Sequence, residues 1–281
     1  MRETPHVTKE DIKAGLGDIG LEKGDLVVVH SSLSAFGYVE GGADTVIDAL
    51  IETLGQAGTL IMPSFTGLRA DDNAGYDRQT TPATVGIISD TFWKRRDVIR
   101  SSHPPRKPWA VCGRLAPELI TLSERRLNQA AQHYLGILDA VADLGGYVLL
   151  LGCLNSSNTS IHTAQVAAFN HVEGAHKCIV EFLAVDAVNH TPGDGPTFFT
   201  QLDAPLLQTG VMRMGRIGDA EIRLMRSREM FDVVESVYET KYWNMDLPEF
   251  PDYIPDPSFP IEAEYKETIE KLTALQQVRS E

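Results

Sequence analysis

The fold is decided by residues 26–66, which read LVVVHSSLSAFGYVEGGADTVIDALIETLGQAGTLIMPSFT. Leu26–Val29 is a short, wholly apolar and β-branched run, which is typical of a buried parallel strand. Ala43–Leu54 carries apolar side chains at helical spacing, and Gly55 follows it as a C-cap. Thr59–Met62 is a second apolar run. The order strand, helix, strand predicts a right-handed crossover, and therefore an α/β fold with a mostly parallel central sheet.

The flanking sequence extends this pattern toward both ends of the chain. The further predicted helices are Thr8–Gly20 with Thr8 as N-cap and Asp11 three residues later, Val85–Phe92, Thr159–Phe169, Asp219–Tyr238 and Ile261–Leu275. The further predicted strands are Gly146–Gly152 and Cys178–Val188, where we expect the sheet to turn antiparallel. Residues 246–260 carry five prolines and predict an extended surface strap. No linker is visible, so we expect a single domain over residues 1–281 with helices on both sheet faces.

Composition limits the classes of function. The 281 residues are 43% hydrophobic, which is enough for a large core, and no apolar stretch of about 18 residues predicts a membrane span. The first residues lack an apolar signal core, so we expect a cytoplasmic protein with its three cysteines reduced. The net charge of −14 argues against a nucleic-acid partner and favours a small cationic substrate, although many proteins are acidic only for solubility.

Hydroxyl-rich segments follow three predicted strands. They are His30–Ser32, Pro63–Thr66 and Cys153–Thr159. Ligands bind beyond the carboxyl ends of strands in open α/β sheets, and free N–H groups at a helix start suit a phosphate or an oxyanion. Any one of these segments could instead serve only as a helix cap. Together they predict a common binding site at one edge of the sheet.

Several well-known catalytic signatures are missing from the sequence. It contains no Walker A motif and no GxSxG nucleophile elbow. His171, Glu173 and His176 form the nearest metal-ligand cluster, but their spacing puts residues 171 and 173 on different helical faces, so we expect no metal site.

Three histidines are candidates for proton transfer. His30 ends a predicted strand, His103 lies in a rigid turn before two prolines, and His162 stands on the first turns of a predicted helix. Arg100, close to His103, could pair with a phosphate. The residue pattern alone does not choose among the three, and each could equally be a structural histidine.

Five ordered blocks of the chain resemble the aminoglycoside 3-N-acetyltransferase family. They are VVVHSSLSAFGYVEGGADTVIDAL (27–50), GTLIMPSFTG (58–67), VGIISDTFWKRRDVIRSSHP (85–104), GYVLLLGCLNSSNTSIHTAQ (146–165) and GRIGDAEIRLMRSREMFDVV (215–234). The resemblance implies a three-layer α/β/α fold and direct transfer of acetyl from acetyl-CoA to an amine of a 2-deoxystreptamine aminoglycoside. Antibiotic resistance would follow from that activity. A homodimer is one assembly that the sequence allows.

The resemblance also implies site residues. The Asn158–His162 stretch matches the start of the family pattern N-T-x-x-H-x-x-E, so His162 is the expected general base and residue 165 its expected partner. Other positions inherit the coenzyme pocket, namely His30, Ser31, Ser32, Arg100, Ser101 and His103. Asp71, Asp72 and Asp77 follow the second strand and could line an acidic wall for a polycation, or form only an exposed acidic loop.

Two departures from the family pattern bear on activity. Position 165 is Gln where the family usually has Glu, and an amide can orient an imidazole but cannot stabilise imidazolium with a full charge. We therefore predict a weaker base than in a typical member. The family commonly has a Ser-Pro pair where residues 133–137 read HYLGI, a region that tends to shape the acceptor pocket.

Other functions stay open from the sequence. A biosynthetic CoA-dependent acyltransferase of the same fold could act on a different amine. Because residue 165 is Gln, a protein that binds coenzyme A without catalysing transfer is another alternative. A hydrolase would use His162 with water and cleave acetyl-CoA without an acceptor.

Overall fold

A seven-stranded sheet organises the chain, and helices cover both of its faces. The structure, a computed structural model, describes residues 4–67, 75–102, 107–124, 136–164, 197–242 and 261–277. The strands are β1 (His6–Val7), β2 (Leu26–Ser31), β3 (Tyr38–Val39), β4 (Thr59–Pro63), β5 (Ile99–Arg100), β6 (Trp109–Gly113), β7 (Tyr147–Leu151), β8 (Met212–Ile217) and β9 (Ala220–Arg226). The helices are α1 (Lys9–Asp18), α2 (Gly42–Leu54), α3 (Ile87–Phe92), α4 (Ala116–Ser123), α5 (Ile137–Asp143), α6 (Thr197–Gln201), α7 (Asp203–Gln208), α8 (Ser227–Tyr242) and α9 (Ile261–Gln277).

The main sheet is mixed, in the order β5-β6-β4-β2-β7-β9-β8. Only the central strands β4, β2 and β7 pair in parallel, and the four outer pairings are antiparallel. The prediction of a mostly parallel sheet is therefore wrong, while the α/β class is right. The strand–helix–strand unit of residues 26–63 is local, so its pattern could be read from the sequence. The antiparallel pairings of β4 with β6 and of β7 with β9 join residues far apart in the sequence, such as Tyr147 and Arg226.

Alternate residues of the central strands face opposite helix layers. Val27 and Val29 pack against α1, α2 and α3, whereas Val28 packs against α4, α5 and α9. On β7, Val148 and Leu150 pack against α6, α7 and α8. Because both faces of these strands are buried, apolar residues follow one another over most of their length rather than alternating with polar ones.

The predicted start of α1 is confirmed by a capping box. Asp11 N donates to Thr8 Oγ1 at 3.2 Å, and Thr8 N donates to Asp11 Oδ2 at 2.9 Å. These two bonds satisfy backbone donors that the first turn of a helix leaves without partners. The helices predicted at residues 43–54, 85–92 and 261–275 are confirmed, with small shifts at their ends.

The predicted helix over Asp219–Tyr238 is wrong in its first third. Residues 220–226 form β9, which pairs with β7, and only the remainder forms α8. Ile222 and Leu224 lie two positions apart and face α1–α3, so the period of this segment is that of a strand. A two-residue hairpin at Gly218, whose φ is +58°, joins it to β8.

The C-terminal helix α9 docks on α4 and α5. Tyr265 and Leu272 are buried there, and Tyr265 OH donates to Asp143 Oδ2 at 2.7 Å. Lys271 Nζ lies 2.9 Å from Glu118 Oε1. The strap at 246–260 and the strand predicted at 178–188 lie outside the described residues, and the single-domain organisation of the whole chain stays a prediction.

Three remaining features concern membranes, metals and thiols. None of the described helices is both long and apolar enough to cross a membrane. Within the described ranges no group of three His, Cys, Asp or Glu side chains could hold a metal ion, and residues 171–176 lie outside those ranges. Cys112 and Cys153 are free thiols.

Candidate active site

Polar segments that follow four strands meet at one edge of the sheet. β2, β4 and β7 run parallel, so their carboxyl ends share that edge, and β5 has the same direction because two antiparallel pairings separate it from β4. Ser32 N donates to Leu151 O at 2.9 Å, which ties the segment after β2 to the end of β7. The strand ends that the sequence singled out thus lie along one edge, where an α/β sheet places its ligand sites.

Arg100 lies at this edge and holds a loop in place. Its Nη1 donates to Thr81 O at 2.5 Å and to Arg78 O at 3.3 Å, and its Nη2 donates to Ser64 O at 3.0 Å. Its guanidinium carbon lies 4.2 Å from the ring centroid of Trp93. Burial lowers the pKa of Arg100 below its usual value. The guanidinium therefore clamps the backbone after β4, and its predicted contact with a coenzyme phosphate stays a prediction.

The predicted coenzyme serines differ in their surroundings. Ser101 is fully buried, and its Oγ accepts from Trp109 N at 2.9 Å. Ser31 and Ser32 are half-buried at the end of β2, with Ser32 Oγ 3.3 Å from the hydroxyl of Ser34. Of the three, Ser31 and Ser32 thus offer surface to a ligand, whereas Ser101 supports the strand end.

His30 is buried beneath this edge. Its side chain is 4% exposed, and its Nε2 has no hydrogen-bond partner among the described residues. Burial lowers the pKa of His30 to about 4, so the imidazole is neutral near pH 7. His30 pairs in register with Leu150, and paired residues share a sheet face. His30 therefore lies on the face that Leu150 shares with Ile161.

His162 stands on a helical turn over residues 160–164 on this same face. Its neighbours Ile161 and Ala164 are buried against β7, which fixes the turn to the sheet. The imidazole is half-buried and meets Phe199 of α6 edge-on, with ring centroids 4.8 Å apart and planes at 68°. This placement gives the ring both a fixed orientation and access to solvent, as a general base needs.

Two buried asparagines build the turn that precedes His162. Asn158 Oδ1 accepts from Ser160 N at 3.1 Å, as an N-cap side chain does, and Asn158 Nδ2 donates to Asn155 Oδ1 at 3.0 Å. Both side chains are fully buried. Asn158 matches the first position of the family pattern, and the structure gives it this capping role. The family pattern indicated Asn158, but its capping role is visible only in the structure.

A partly buried ion pair anchors this turn. Asn155 Nδ2 donates to Asp203 Oδ1 at 2.7 Å, and Asp203 Oδ2 accepts from Arg223 Nη1 at 2.6 Å. Arg223 also donates through Nη2 to Glu221 Oε1 at 2.6 Å. Burial lowers the pKa of Arg223, but the bonds to the two carboxylates outweigh it and hold the pKa above its usual value. These contacts leave no signal in the sequence, because 48 residues separate Asn155 from Asp203.

Cys153, two residues past β7, is the thiol nearest to these segments in the sequence. Burial raises the pKa of Cys153 to about 11. The thiol therefore stays protonated near neutral pH, and a protonated thiol is a poor nucleophile. This environment does not favour an acyl-cysteine intermediate.

Four of the predicted site residues lie outside the described residues: Gln165, His103, Asp71 and Asp72. Asp77 is exposed, and its Oδ1 accepts from Gln79 N at 2.7 Å within a tight turn. That bond is local to the turn. The acidic wall therefore stays a prediction.

Comparisons with known proteins agree with one another. A family model described as aminoglycoside 3-N-acetyltransferase matches residues 28–239. Aminoglycoside N(3)-acetyltransferase IV of Salmonella sp. is 32% identical over 226 residues, covering 79% of this chain and 84% of that protein. The aminoglycoside N(3')-acetyltransferase-like protein YokD of Bacillus subtilis is 29% identical over 251 residues, covering 81% and 91%.

Solved structures share the fold. The crystal structure of a histidine-to-alanine mutant of aminoglycoside acetyltransferase AAC(3)-IVa, in complex with a gentamicin, superposes with a TM-score of 0.69 at 26% identity. The match covers 86% of this chain and 92% of that one.

Proposed function

This chain belongs to the aminoglycoside 3-N-acetyltransferase family, and we propose that it transfers acetyl from acetyl-CoA to an amine of a 2-deoxystreptamine aminoglycoside, which would confer resistance. The observation that carries the proposal is the placement of His162. Its half-buried ring lies on a braced turn at the carboxyl edge of the sheet. The names of the relatives support the substrate class, and the placement of His162 supports its proposed role as the base.

The proposed reaction is a direct transfer with His162 as general base. An aminoglycoside amine is mostly protonated near neutral pH and becomes nucleophilic only after losing its proton. The nitrogen of the neutral amine bonds to the thioester carbonyl carbon, and His162 accepts a proton from that nitrogen. The carbon–sulfur bond breaks, and the proton returns to the departing sulfur. The protonated state of Cys153 supports transfer without a covalent enzyme intermediate.

The donor is proposed to lie across the segments after β2 and β5. Ser31 and Ser32 are accessible there, and the neutral imidazole of His30 has a free polar atom beneath them. The net charge of −14 favours approach of a polycationic acceptor. Asp71, Asp72 and Asp77 remain the proposed acidic contacts for that acceptor, and Gln165 the proposed partner of His162.

The test is acetyl transfer measured by thiol release with a panel of aminoglycosides. We expect His162→Ala to lower kcat/KM at least about 100-fold, as loss of a general base does. His6→Ala is the matched control, because His6 is exposed and its ring only contacts that of Tyr38. Val39, next to Tyr38, packs on the sheet face opposite His162. Full activity of His162→Ala would overturn the proposal.

The same assay separates the alternatives. Turnover only with amines outside the aminoglycosides would indicate a biosynthetic acyltransferase. Thiol release without any acceptor would indicate a hydrolase, and calorimetric binding of acetyl-CoA with no release would indicate a binding protein.

Residue 165 gives a second test. We expect Gln165→Glu to raise kcat, because a carboxylate stabilises the imidazolium that forms during transfer. Gln56→Glu is the control, since it adds the same charge on an exposed turn before β4, at the opposite edge of the sheet. No gain in Gln165→Glu would count against the proposed pairing with His162.

A further inference from the structure

A relay of three side chains links a charged group to the turn that carries His162. Asp203 Oδ1 accepts from Asn155 Nδ2 at 2.7 Å, and Asn155 Oδ1 accepts from Asn158 Nδ2 at 3.0 Å. Asn158 Oδ1 then accepts from Ser160 N at 3.1 Å, two residues before His162. Both amides are fully buried, so water cannot replace a lost partner.

The carboxylate sets the direction of this relay. An ionised carboxylate only accepts hydrogen bonds, whereas a side-chain amide offers one accepting oxygen and one donating nitrogen. Because Asp203 accepts, Asn155 must turn its nitrogen toward it and its oxygen toward Asn158. Asn158 must then turn its oxygen toward Ser160 N, which is the only orientation that caps the turn.

The same aspartate fixes a second contact of His162. Phe199 meets the imidazole edge-on and lies four residues before Asp203, on the helix that directly precedes α7. Asp203 Oδ2 is held by Arg223, whose own side chain is 6% exposed. The ion pair therefore anchors both the turn beneath His162 and the segment that packs against its ring.

We infer that Asp203 is a positioning residue of the acetyl-transfer site, which orients His162 through the Asn155–Asn158 relay and through Phe199. The inference rests on the proposed function and extends it to a residue that acts through its protein neighbours. A general base loses rate steeply when it is displaced by about 1 Å, so a relay that fixes its turn acts mainly on kcat.

Asp203→Asn is the decisive variant. Arg223 can only donate, so the new amide must turn its oxygen to Arg223 and its nitrogen to Asn155. The relay then reverses, and the Asn158 nitrogen meets the Ser160 N–H, donor against donor. We expect kcat to fall by about tenfold or more, with KM for acetyl-CoA within about twofold of wild type.

Asp143→Asn is the matched control. Asp143 is also a partly exposed carboxylate with two donors, Arg228 and Tyr265, and it lies on the same sheet face as Asp203 but on α5. We expect it to lower the melting temperature about as much as Asp203→Asn does, while kcat changes by less than about twofold. Equal kcat losses in the two variants would overturn the inference.

A charge swap tests the direction of the relay. In the double variant Asp203→Asn with Asn155→Asp, the amide at 203 can donate to the carboxylate at 155, which again accepts from Asn158 Nδ2. We expect kcat at least about threefold above that of Asp203→Asn alone, even if the double variant is less stable. A folded double variant that is no more active than the single one would contradict the relay.

A readout without substrate separates this inference from the proposed function. The imidazole nitrogen signals of His162, assigned by their loss in His162→Ala, are recorded in protein labelled with ¹⁵N-histidine. We expect them to shift or broaden in Asp203→Asn and to stay in place in Asp143→Asn. If the wild-type protein transfers acetyl to no amine, the proposed function fails. The signals of His162 still decide the positioning role, and unchanged signals in Asp203→Asn would overturn it.

Discussion

Two arginines are almost equally buried at the carboxyl edge of the sheet, and they do different things there. Arg100 is 4% exposed and Arg223 is 6% exposed. Arg100 donates to three backbone carbonyls and lies over Trp93, whereas Arg223 donates to the carboxylates of Asp203 and Glu221. Their pKa values accordingly shift in opposite directions, down for Arg100 and up for Arg223.

We expect this difference to separate a structural role for Arg100 from a positioning role for Arg223. The planar guanidinium of Arg100 donates only to neutral carbonyls and holds a loop by directing several N–H groups at once. Arg223 pairs with a carboxylate, Asp203, that bonds to a buried amide, and the series of hydrogen bonds ends at Ser160 N, two residues before His162. We therefore expect the loss of Arg100 to act mainly on stability and the loss of Arg223 mainly on turnover.

The largest expected change in stability is that of Arg100→Met. It leaves the carbonyls of Ser64, Thr81 and Arg78 without their donor and removes the contact with Trp93. We expect the free energy of unfolding to fall by about 3 to 4 kcal/mol, measured by urea denaturation. A loss below about 1 kcal/mol would mean that the clamp carries little of the fold.

Arg223→Met is expected to cost less stability and more activity. Asp203 and Glu221 are 25% and 45% exposed, so water can solvate the carboxylates that lose their partner. We expect a loss of about 1 to 2 kcal/mol in unfolding free energy. Because Asp203 is then free to move, kcat should fall about tenfold. Unchanged kcat in a folded variant would break the contrast between the two arginines.

Lysine at each position sharpens the contrast. The ammonium of Arg223→Lys can still pair with Asp203 or Glu221, so we expect it to restore unfolding free energy to within about 1 kcal/mol of wild type. In Arg100→Lys a single nitrogen cannot reach the carbonyls of Ser64 and Thr81 together. That variant should therefore stay within about 1 kcal/mol of Arg100→Met. If lysine restored the unfolding free energy equally at both positions, the positive charge alone would account for the stabilisation by each arginine.

Local patterns predicted the centre of this molecule, and contacts distant in sequence built its site. Residues 26–63 form strand, helix and strand as their periodicity predicts. The β9 segment was mistaken for the start of a helix because no glycine or proline separates its last residue, Arg226, from the helix that begins at Ser227. Its pairing with β7 joins residues far apart in the sequence. The link from Asn155 to Asp203 spans 48 residues and leaves no periodic signal. The family resemblance thus pointed to His162 and Asn158, but no sequence pattern indicated the side chains that hold them.

The smallest expected effect is a change in how stability depends on pH around Arg100. Tyr76 lies beside Arg100 and donates its hydroxyl to Ser101 O at 2.6 Å, and burial raises the pKa of Tyr76 to about 12. In the unfolded chain a phenol ionises near pH 10, so between about pH 10 and 12 the unfolded state releases a proton that the folded state retains. Stability from this group is therefore present below about pH 10 and is lost as the pH rises toward about 12. We expect Tyr76→Phe to show a flatter decline in urea midpoint over this range than wild type. Phenol absorbance should report the ionisation of Tyr76. An equally steep decline in both proteins would show that ionisation of Tyr76 does not cause the loss of stability.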